Sequence, residues 1–191
     1  MNLILIRHTS VNVEPGICYG SSDVELSENY ECERNSIIEK LDDTIFDFIF
    51  TSPLSRCQRL ACDISKGKEV ISDWRLSELD FGDWEGQSWE VIYKAAYAKR
   101  WFASWKDLPC PNGESLIQMV SRVKDFLSEK ILNHNNDTLL IVTHGGVIRI
   151  IITLLQNSNF EEIFKIKSEF GEITTLSFNY DNLSLVQNMQ L

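Results

Sequence analysis

Apolar residues fall along this chain in two rhythms. Residues 2–7 (Asn-Leu-Ile-Leu-Ile-Arg), 46–50 (Phe-Asp-Phe-Ile-Phe) and 138–143 (Thr-Leu-Leu-Ile-Val-Thr) are short runs dominated by apolar side chains, as expected of strands covered on both faces. Residues 69–72 make a shorter strand of the same kind. Between them the spacing changes to that of helices. Ser27 and Glu28 open a helix predicted over 28–43, and Thr51-Ser52-Pro53 caps another over 53–66. Leu116, Val120, Val123, Phe126, Leu127 and Ile131 recur at helical spacing within 113–133, and a further helix is predicted over 146–156. Near the end the pattern alternates: residues 174–178 and 183–186, joined by Asn179-Tyr180-Asp181-Asn182, read as a hairpin. Strand–helix alternation followed by a hairpin predicts an α/β fold, a three-layer α/β/α sandwich with one antiparallel strand near the C-terminus. No repeat or linker divides residues 1–191, so the expectation is a single domain.

Composition narrows the function. A net charge of −10 argues against nucleic acid, which is bound by clustered Lys and Arg. Any anion pocket must then be a local positive spot in a negative field. No run of 18 apolar residues occurs and no signal core follows Met1, so neither a membrane span nor export is expected. Cys18, Cys32, Cys57, Cys62 and Cys110 are odd in number and contain no C-x-x-C pair. Reduced thiols in the cytoplasm are the simplest reading.

Two of the three histidines end predicted strands, in Leu5-Ile6-Arg7-His8-Thr9 and in Val142-Thr143-His144-Gly145-Gly146. The carboxyl ends of strands are where ligands bind in open α/β sheets. Strict alternation would send Arg7 and His8 to opposite faces, so their convergence requires the chain to turn at His8. Arg56 stands in the first turn of the helix after the second strand. Two guanidiniums and a protonated His144 would hold a phosphoryl group without a metal, leaving a neutral His8 as nucleophile. Gly145 and Gly146 allow backbone to approach a ligand closely.

A phosphoryl transfer also needs an acid for the leaving oxygen. Glu78 is the candidate, with Phe81 and Trp84 near it in sequence to keep its carboxyl protonated by burial. Glu85 and Asp80 are its rivals. Taken singly, Arg56 reads as a surface arginine and Glu78 as a loop carboxylate; together at the sheet's carboxyl end they read as a site. His134, between two asparagines, reads as an exposed loop residue.

These residues make the chain resemble the histidine phosphatase (phosphoglycerate mutase-like) superfamily and, within it, the α-ribazole phosphatases of cobalamin synthesis. Four motifs carry the resemblance, in order: Arg7-His8-Thr9, Ser52-Pro53-Leu54-Ser55-Arg56, the stretch from Glu78 through Gly82 to Glu85-Gly86, and Thr143-His144-Gly145-Gly146-Val147. The resemblance implies a six-stranded, mostly parallel mixed sheet between helical layers. It also implies a phosphohistidine on His8, a proton donor in Glu78, and phosphate held by Arg7, Arg56 and His144. Two departures stand out: Thr9 replaces a usual glycine, and Val13 or Glu14 stands where many members place asparagine. The second weighs against a mutase. Thr9 and the Cys18-Tyr19-Gly20 loop resemble the α-ribazole phosphatase branch, which implies that Tyr19 and Gly20 lie near the substrate.

Trp89, Tyr93, Tyr97, Trp101 and Trp105 recur at every fourth residue, which places them on one helical face. Such a stripe is either core packing or, in a helical lid over 87–111, a wall for a flat aromatic ligand. The expected activity is that of a metal-independent phosphomonoesterase without cofactor. Its substrate would be α-ribazole 5′-phosphate, with inorganic phosphate as product. A sugar-phosphate or broad-specificity phosphatase is the alternative; a phosphoglycerate mutase or a non-catalytic phospholigand-binding protein fits less well.

Overall fold

The computed structural model describes residues 1–131, 134 and 137–177. Among these residues five strands form one sheet: β1 (Asn2–Arg7), β2 (Phe48–Thr51), β3 (Val70–Ser72), β4 (Thr138–Thr143) and β5 (Ile173–Ser177). Their order is β3-β2-β4-β1-β5. The first four run parallel, and β5 pairs antiparallel with β1 at one edge. The second arm of the expected hairpin, 183–186, lies outside the described residues, so five strands are seen where the resemblance implied six.

Among the described residues six α-helices connect the strands: α1 (Tyr30–Lys40), α2 (Ser55–Ile64), α3 (Trp89–Lys94), α4 (Ala96–Ala103), α5 (Leu116–Ile131) and α6 (Gly145–Leu155). Strand alternation explains the layers. Leu3 and Leu5 of β1, with Leu139 and Ile141 of β4, pack into one core with α5 and α6. Ile4 and Ile6, with Leu140 and Val142, face the opposite core formed with α1 and α2. Both faces of the sheet are covered, which is why these runs are apolar throughout. No helix among the described residues is long and apolar enough to cross a membrane.

A third, smaller cluster sits off the sheet, where Cys18, Trp84, Ile92, Ala98, Trp101 and Cys110 pack together. Here the expected aromatic stripe is corrected. Ala95 is extended (φ −72°, ψ 138°) and separates α3 from α4, so the five aromatics do not share one helical face. Alanine carries no sequence signal for a break.

Candidate active site

Strand register builds the centre of the site. Arg7 pairs with Thr143 across β1 and β4, so the next residues of the two adjacent parallel strands, His8 and His144, emerge side by side. Their ring centroids are 5.1 Å apart. β1 ends at Arg7, the ladder runs on to the His8 amide without a turn, and Arg7 and His8 come together on the Phe170 ring, at 3.8 Å and 5.4 Å from its centre. On the neighbouring strand, the Ser52 amide donates to the Val142 carbonyl, and Ser52 Oγ lies 2.8 Å from His144 Nε2. His8, Ser52, Arg56 and His144 are all buried.

Two contacts define the His8 ring. Nδ1 lies 2.7 Å from the Thr9 carbonyl oxygen, which can only accept, so Nδ1 carries the proton. Nε2 then accepts from Arg56 Nε at 3.3 Å and keeps its lone pair on the side of the guanidinium. Burial, then the charge of Arg56, lower the His8 pKa to about 3, against the opposing Thr9 hydrogen bond. The ring is therefore a neutral base at pH 7.

The expectation of a protonated His144 is not met. Burial, followed by the adjacent His8 and by Arg56, Arg122 and Arg7, holds its pKa well below the usual value, so this ring too is neutral. Cys57 Sγ lies 3.5 Å from His144 Nε2, and burial pushes that thiol's pKa up, so it adds no charge. The fixed positive charge comes from arginines.

Arg56 is fully buried, with Nη1 donating to the Ser22 carbonyl at 2.8 Å and Nη2 to the Gly20 carbonyl at 2.6 Å. Gly20 has no room for a side chain, since a Cβ there would lie 1.9 Å from the Leu79 carbonyl oxygen. That close approach lets the 18–22 loop reach Arg56. Arg7 donates from Nη1 to the Ser168 carbonyl at 2.5 Å, and Phe170 stacks on its guanidinium at 3.8 Å. Tyr19 lies beside both arginines; burial raises its hydroxyl pKa while Arg7 and Arg56 pull it down. Thr9 is buried with an unpartnered hydroxyl, so what it offers His8 is its carbonyl.

Glu78 reaches the same centre from the segment after β3. Its Oε2 accepts from the Gly146 amide at 3.0 Å and Oε1 from the Leu79 amide at 3.0 Å. Gly146 makes this possible, because a Cβ there would lie 2.2 Å from Glu78 Oε1. Phe81 lines the same cavity as Glu78, whereas Trp84 packs in the third cluster. The dry carboxyl pocket expected from the sequence is not formed: Glu78 is only half-buried.

Glu85, the rival acid, is otherwise engaged. Its oxygens accept from the amides of Ser21, Ser22 and Phe81 and from the Ser21 hydroxyl. Burial raises its pKa, but these hydrogen bonds outweigh it and leave the carboxyl below its ordinary value. Asp80 likewise accepts from the Gly82 amide and the Ser21 hydroxyl. Both carboxylates bind the 18–22 loop to the segment carrying Glu78. Val13 and Glu14 line a separate hollow beyond Tyr19.

Two residues escaped the sequence reading. Arg122, on the amphipathic helix α5, donates to the carbonyls of Arg75, Ser77 and Glu78 and pairs with Glu114. It fixes the segment bearing Glu78, and its position within a hydrophobic repeat was the only hint. Arg149 lies one turn into α6, four residues after Gly145 on the same face.

Beside Glu78 opens a cavity of about 450 Å³. Tyr19, Glu78, Gly146 and Arg149 border it toward the histidines, and Phe81, Trp89, Tyr93, Trp101, Phe102 and Trp105 are among its aromatic walls. Tyr97 of the expected stripe turns away to donate to the Pro109 carbonyl, and Phe102, outside the stripe, takes a place in the wall. The break at Ala95 parts Trp89 and Tyr93 on α3 from Tyr97 and Trp101 on α4. Among the described residues no cluster of three or more His, Cys, Asp or Glu is arranged to hold a metal ion, and all five cysteines are free thiols.

A neutral imidazole flanked by guanidiniums, with a carboxyl on a helix N-terminus nearby, defines a class of α/β enzymes that handle phosphoryl groups. The sequence model of the histidine phosphatase superfamily (branch 1) matches residues 3–189, and the chain belongs to that superfamily as a phosphatase. Phosphoserine phosphatase 1 of Hydrogenobacter thermophilus is 33% identical over 155 residues, covering 78% of this chain and 73% of that protein. A 2,3-bisphosphoglycerate-dependent phosphoglycerate mutase of Bartonella tribocorum is 30% identical over 194 residues, 94% of this chain and 93% of its own length. Among solved structures, the α-ribazole phosphatase from Shigella flexneri superposes with a TM-score of 0.88 at 25% identity, covering 94% of this chain and 92% of that one.

Proposed function

We propose that this protein is a metal-independent phosphomonoesterase that works through a phosphohistidine on His8 and hydrolyses α-ribazole 5′-phosphate. The observation that carries the mechanism is the His8 tautomer, with Nδ1 committed to the Thr9 carbonyl and the Nε2 lone pair facing Arg56. Nε2 attacks phosphorus, the N–P bond forms, and the ester P–O bond breaks. Arg7 and Arg56 take the charge spread over the phosphoryl oxygens. An arriving phosphate competes for the Arg56 contact with Nε2, and its negative charge offsets the burial and the neighbouring positive charges that keep His144 neutral, so His144 can take a proton as the phosphate binds. Glu78 takes up a proton as the anionic ester binds beside it and gives it to the leaving alkoxide, then as carboxylate takes one from the water that cleaves the N–P bond. Inorganic phosphate leaves and His8 returns to its starting state.

The aromatic cavity supports the substrate. A benzimidazole-bearing ribose offers flat apolar surface to Trp89, Tyr93 and Phe102, and the likeness to the Shigella flexneri α-ribazole phosphatase points the same way. A second reading, a phosphatase of small phosphorylated metabolites, is favoured by the Hydrogenobacter thermophilus relative. In both readings the chain acts as a single domain in the cytoplasm, with residues 87–111 serving as a lid wall for the substrate.

The test is kcat/KM across α-ribazole 5′-phosphate, phosphoserine, 3-phosphoglycerate and sugar phosphates, each after exhaustive chelation. The proposal expects α-ribazole 5′-phosphate to lead by at least about tenfold, or 1.4 kcal/mol of transition-state binding. Preference for phosphoserine or sugar phosphates would replace the substrate. Activity lost on chelation and restored by Mg²⁺ or Zn²⁺ would overturn the metal-independent chemistry.

A further inference from the structure

We propose that Arg149 is a specificity-determining residue, binding an uncharged oxygen of the leaving alcohol close to the phosphoester. This rests on the phosphomonoesterase reading above and adds to it a requirement on the substrate. Arg149 occupies the border between the two halves of the site. It lines the aromatic cavity together with Glu78 and Gly146, and it is close enough to Arg7 for its charge to lower that residue's pKa.

Gly145 records how tightly the two guanidiniums converge. A Cβ at that position would lie 3.0 Å from Arg149 Nη1 and 3.4 Å from Arg7 Nε. A side chain there would crowd Arg149 Nη1 and rest in contact with Arg7, so the glycine lets the Arg149 guanidinium lie close to the backbone at the helix start. The two arginines are otherwise held differently. Arg7 spends Nη1 on the Ser168 carbonyl. Arg149 is anchored through Nε to the Ile166 carbonyl at 2.9 Å, which orients the guanidinium and leaves its Nη groups as donors on the cavity side.

The rest of the cavity is aromatic and aliphatic, so a donor at this border meets the part of the alcohol nearest the ester. A hydroxyl or ether oxygen suits it better than a carboxylate. Glu78 borders the same end of the cavity and becomes a carboxylate as it releases its proton, so a second carboxylate placed there would face like-charge repulsion while the ester bond breaks. The substrate class is therefore a phosphate monoester with an oxygen a few bonds from the ester and a flat apolar body beyond it.

The experiment measures kcat and KM of the wild type, Arg149→Met and Arg149→Lys on four esters. These are α-ribazole 5′-phosphate, ribose 5-phosphate, 2-naphthylmethyl phosphate (ring but no further oxygen) and phosphoserine. A charged donor to a neutral acceptor predicts that Arg149→Met loses about ten- to hundredfold in kcat/KM on the two ribosyl esters, mainly through KM. The loss on 2-naphthylmethyl phosphate is much smaller, and Arg149→Lys recovers part of the loss on the ribosyl esters. A parallel loss on all four esters would overturn the proposal in favour of a phosphate-binding or purely structural arginine. A loss confined to phosphoserine would overturn it in favour of carboxylate recognition. Failure of the underlying reading shows differently: a wild type that turns over none of the esters removes the phosphomonoesterase itself. A wild type that merely ranks α-ribazole 5′-phosphate low removes that substrate and leaves the Arg149 comparison intact.

Discussion

The centre around His8 and the cavity beside it are built on opposite plans. At the centre, His8, Arg56 and His144 are at most 2% exposed, and they sit at or just after elements set by the sheet. The cavity wall comes from two short helices, the 3₁₀ turn Phe160–Lys165 and the residues between, with Tyr93 54% and Phe164 72% exposed. One region is fixed by strand register, and the other by side chains resting on one another, as in the Tyr93–Phe102 stack and the Trp105–Phe164 contact. Chemistry shared across a superfamily belongs in the first kind of region, and the choice of substrate in the second, where a substitution changes a wall without moving a strand.

The largest expected effect lies at the centre. His8→Ala should abolish turnover and the acid-labile, alkali-stable label left by brief incubation with labelled substrate; a label that survives would move the nucleophile elsewhere. Next comes Glu78→Gln, which should cost roughly 10²–10⁴-fold on an alkyl phosphate and far less on p-nitrophenyl phosphate, whose leaving group needs no proton. Glu85→Gln should cost less and fall equally on both esters, because Glu85 acts by holding the 18–22 loop. A larger, leaving-group-dependent loss at Glu85 would transfer the acid role to it.

The aromatic wall should divide within itself. Trp101 is 8% exposed and belongs to the third cluster, so Trp101→Ala should destabilise the protein by about 3–5 kcal/mol in urea unfolding, the usual cost of emptying a large core site. Tyr93→Ala should leave stability nearly unchanged and erode the preference for a ring-bearing ester by up to about tenfold, close to 1.4 kcal/mol. If both variants lose stability alike, the wall is core packing throughout.

The smallest effect is a slope. The folded state holds His8 neutral down to about pH 3, whereas the unfolded chain takes up that proton near pH 6.5. Between those values the unfolded state binds more protons, so stability falls as pH is lowered through the window. Urea midpoints from pH 7 to pH 4.5 should decline, and His8→Asn should flatten part of the decline. An unchanged slope would mean that His8 is solvated in the folded protein.

The centre was the more legible region in the sequence for the same reason that it is the more rigid. Short, mainly apolar runs located β1, β2 and β4 within two residues, and a histidine directly after such a run has little freedom in where it goes. Arg56 and Gly145 followed from the same reasoning. The cavity wall was misread because its shape depends on an extended alanine at position 95, set by packing that the sequence does not display. That one residue parts Trp89 and Tyr93 from Tyr97 and Trp101. Arg122 was missed because a repeat of apolar positions conceals the one cation buried among them. The protonation of His144 was misjudged because its neighbours' charges act through space, and chain order does not show them.

The hydrogen bond from His8 Nδ1 ends on a main-chain carbonyl, and that has a consequence for how the protein can change. A device that depended on a side chain could be erased by one base change, whereas the carbonyl at position 9 is present whatever residue stands there. Position 9 can therefore carry threonine in place of glycine while the proton stays on the same ring nitrogen. The ring's orientation is inherited with the backbone path, which leaves the residue beside the nucleophile open to drift and to redesign.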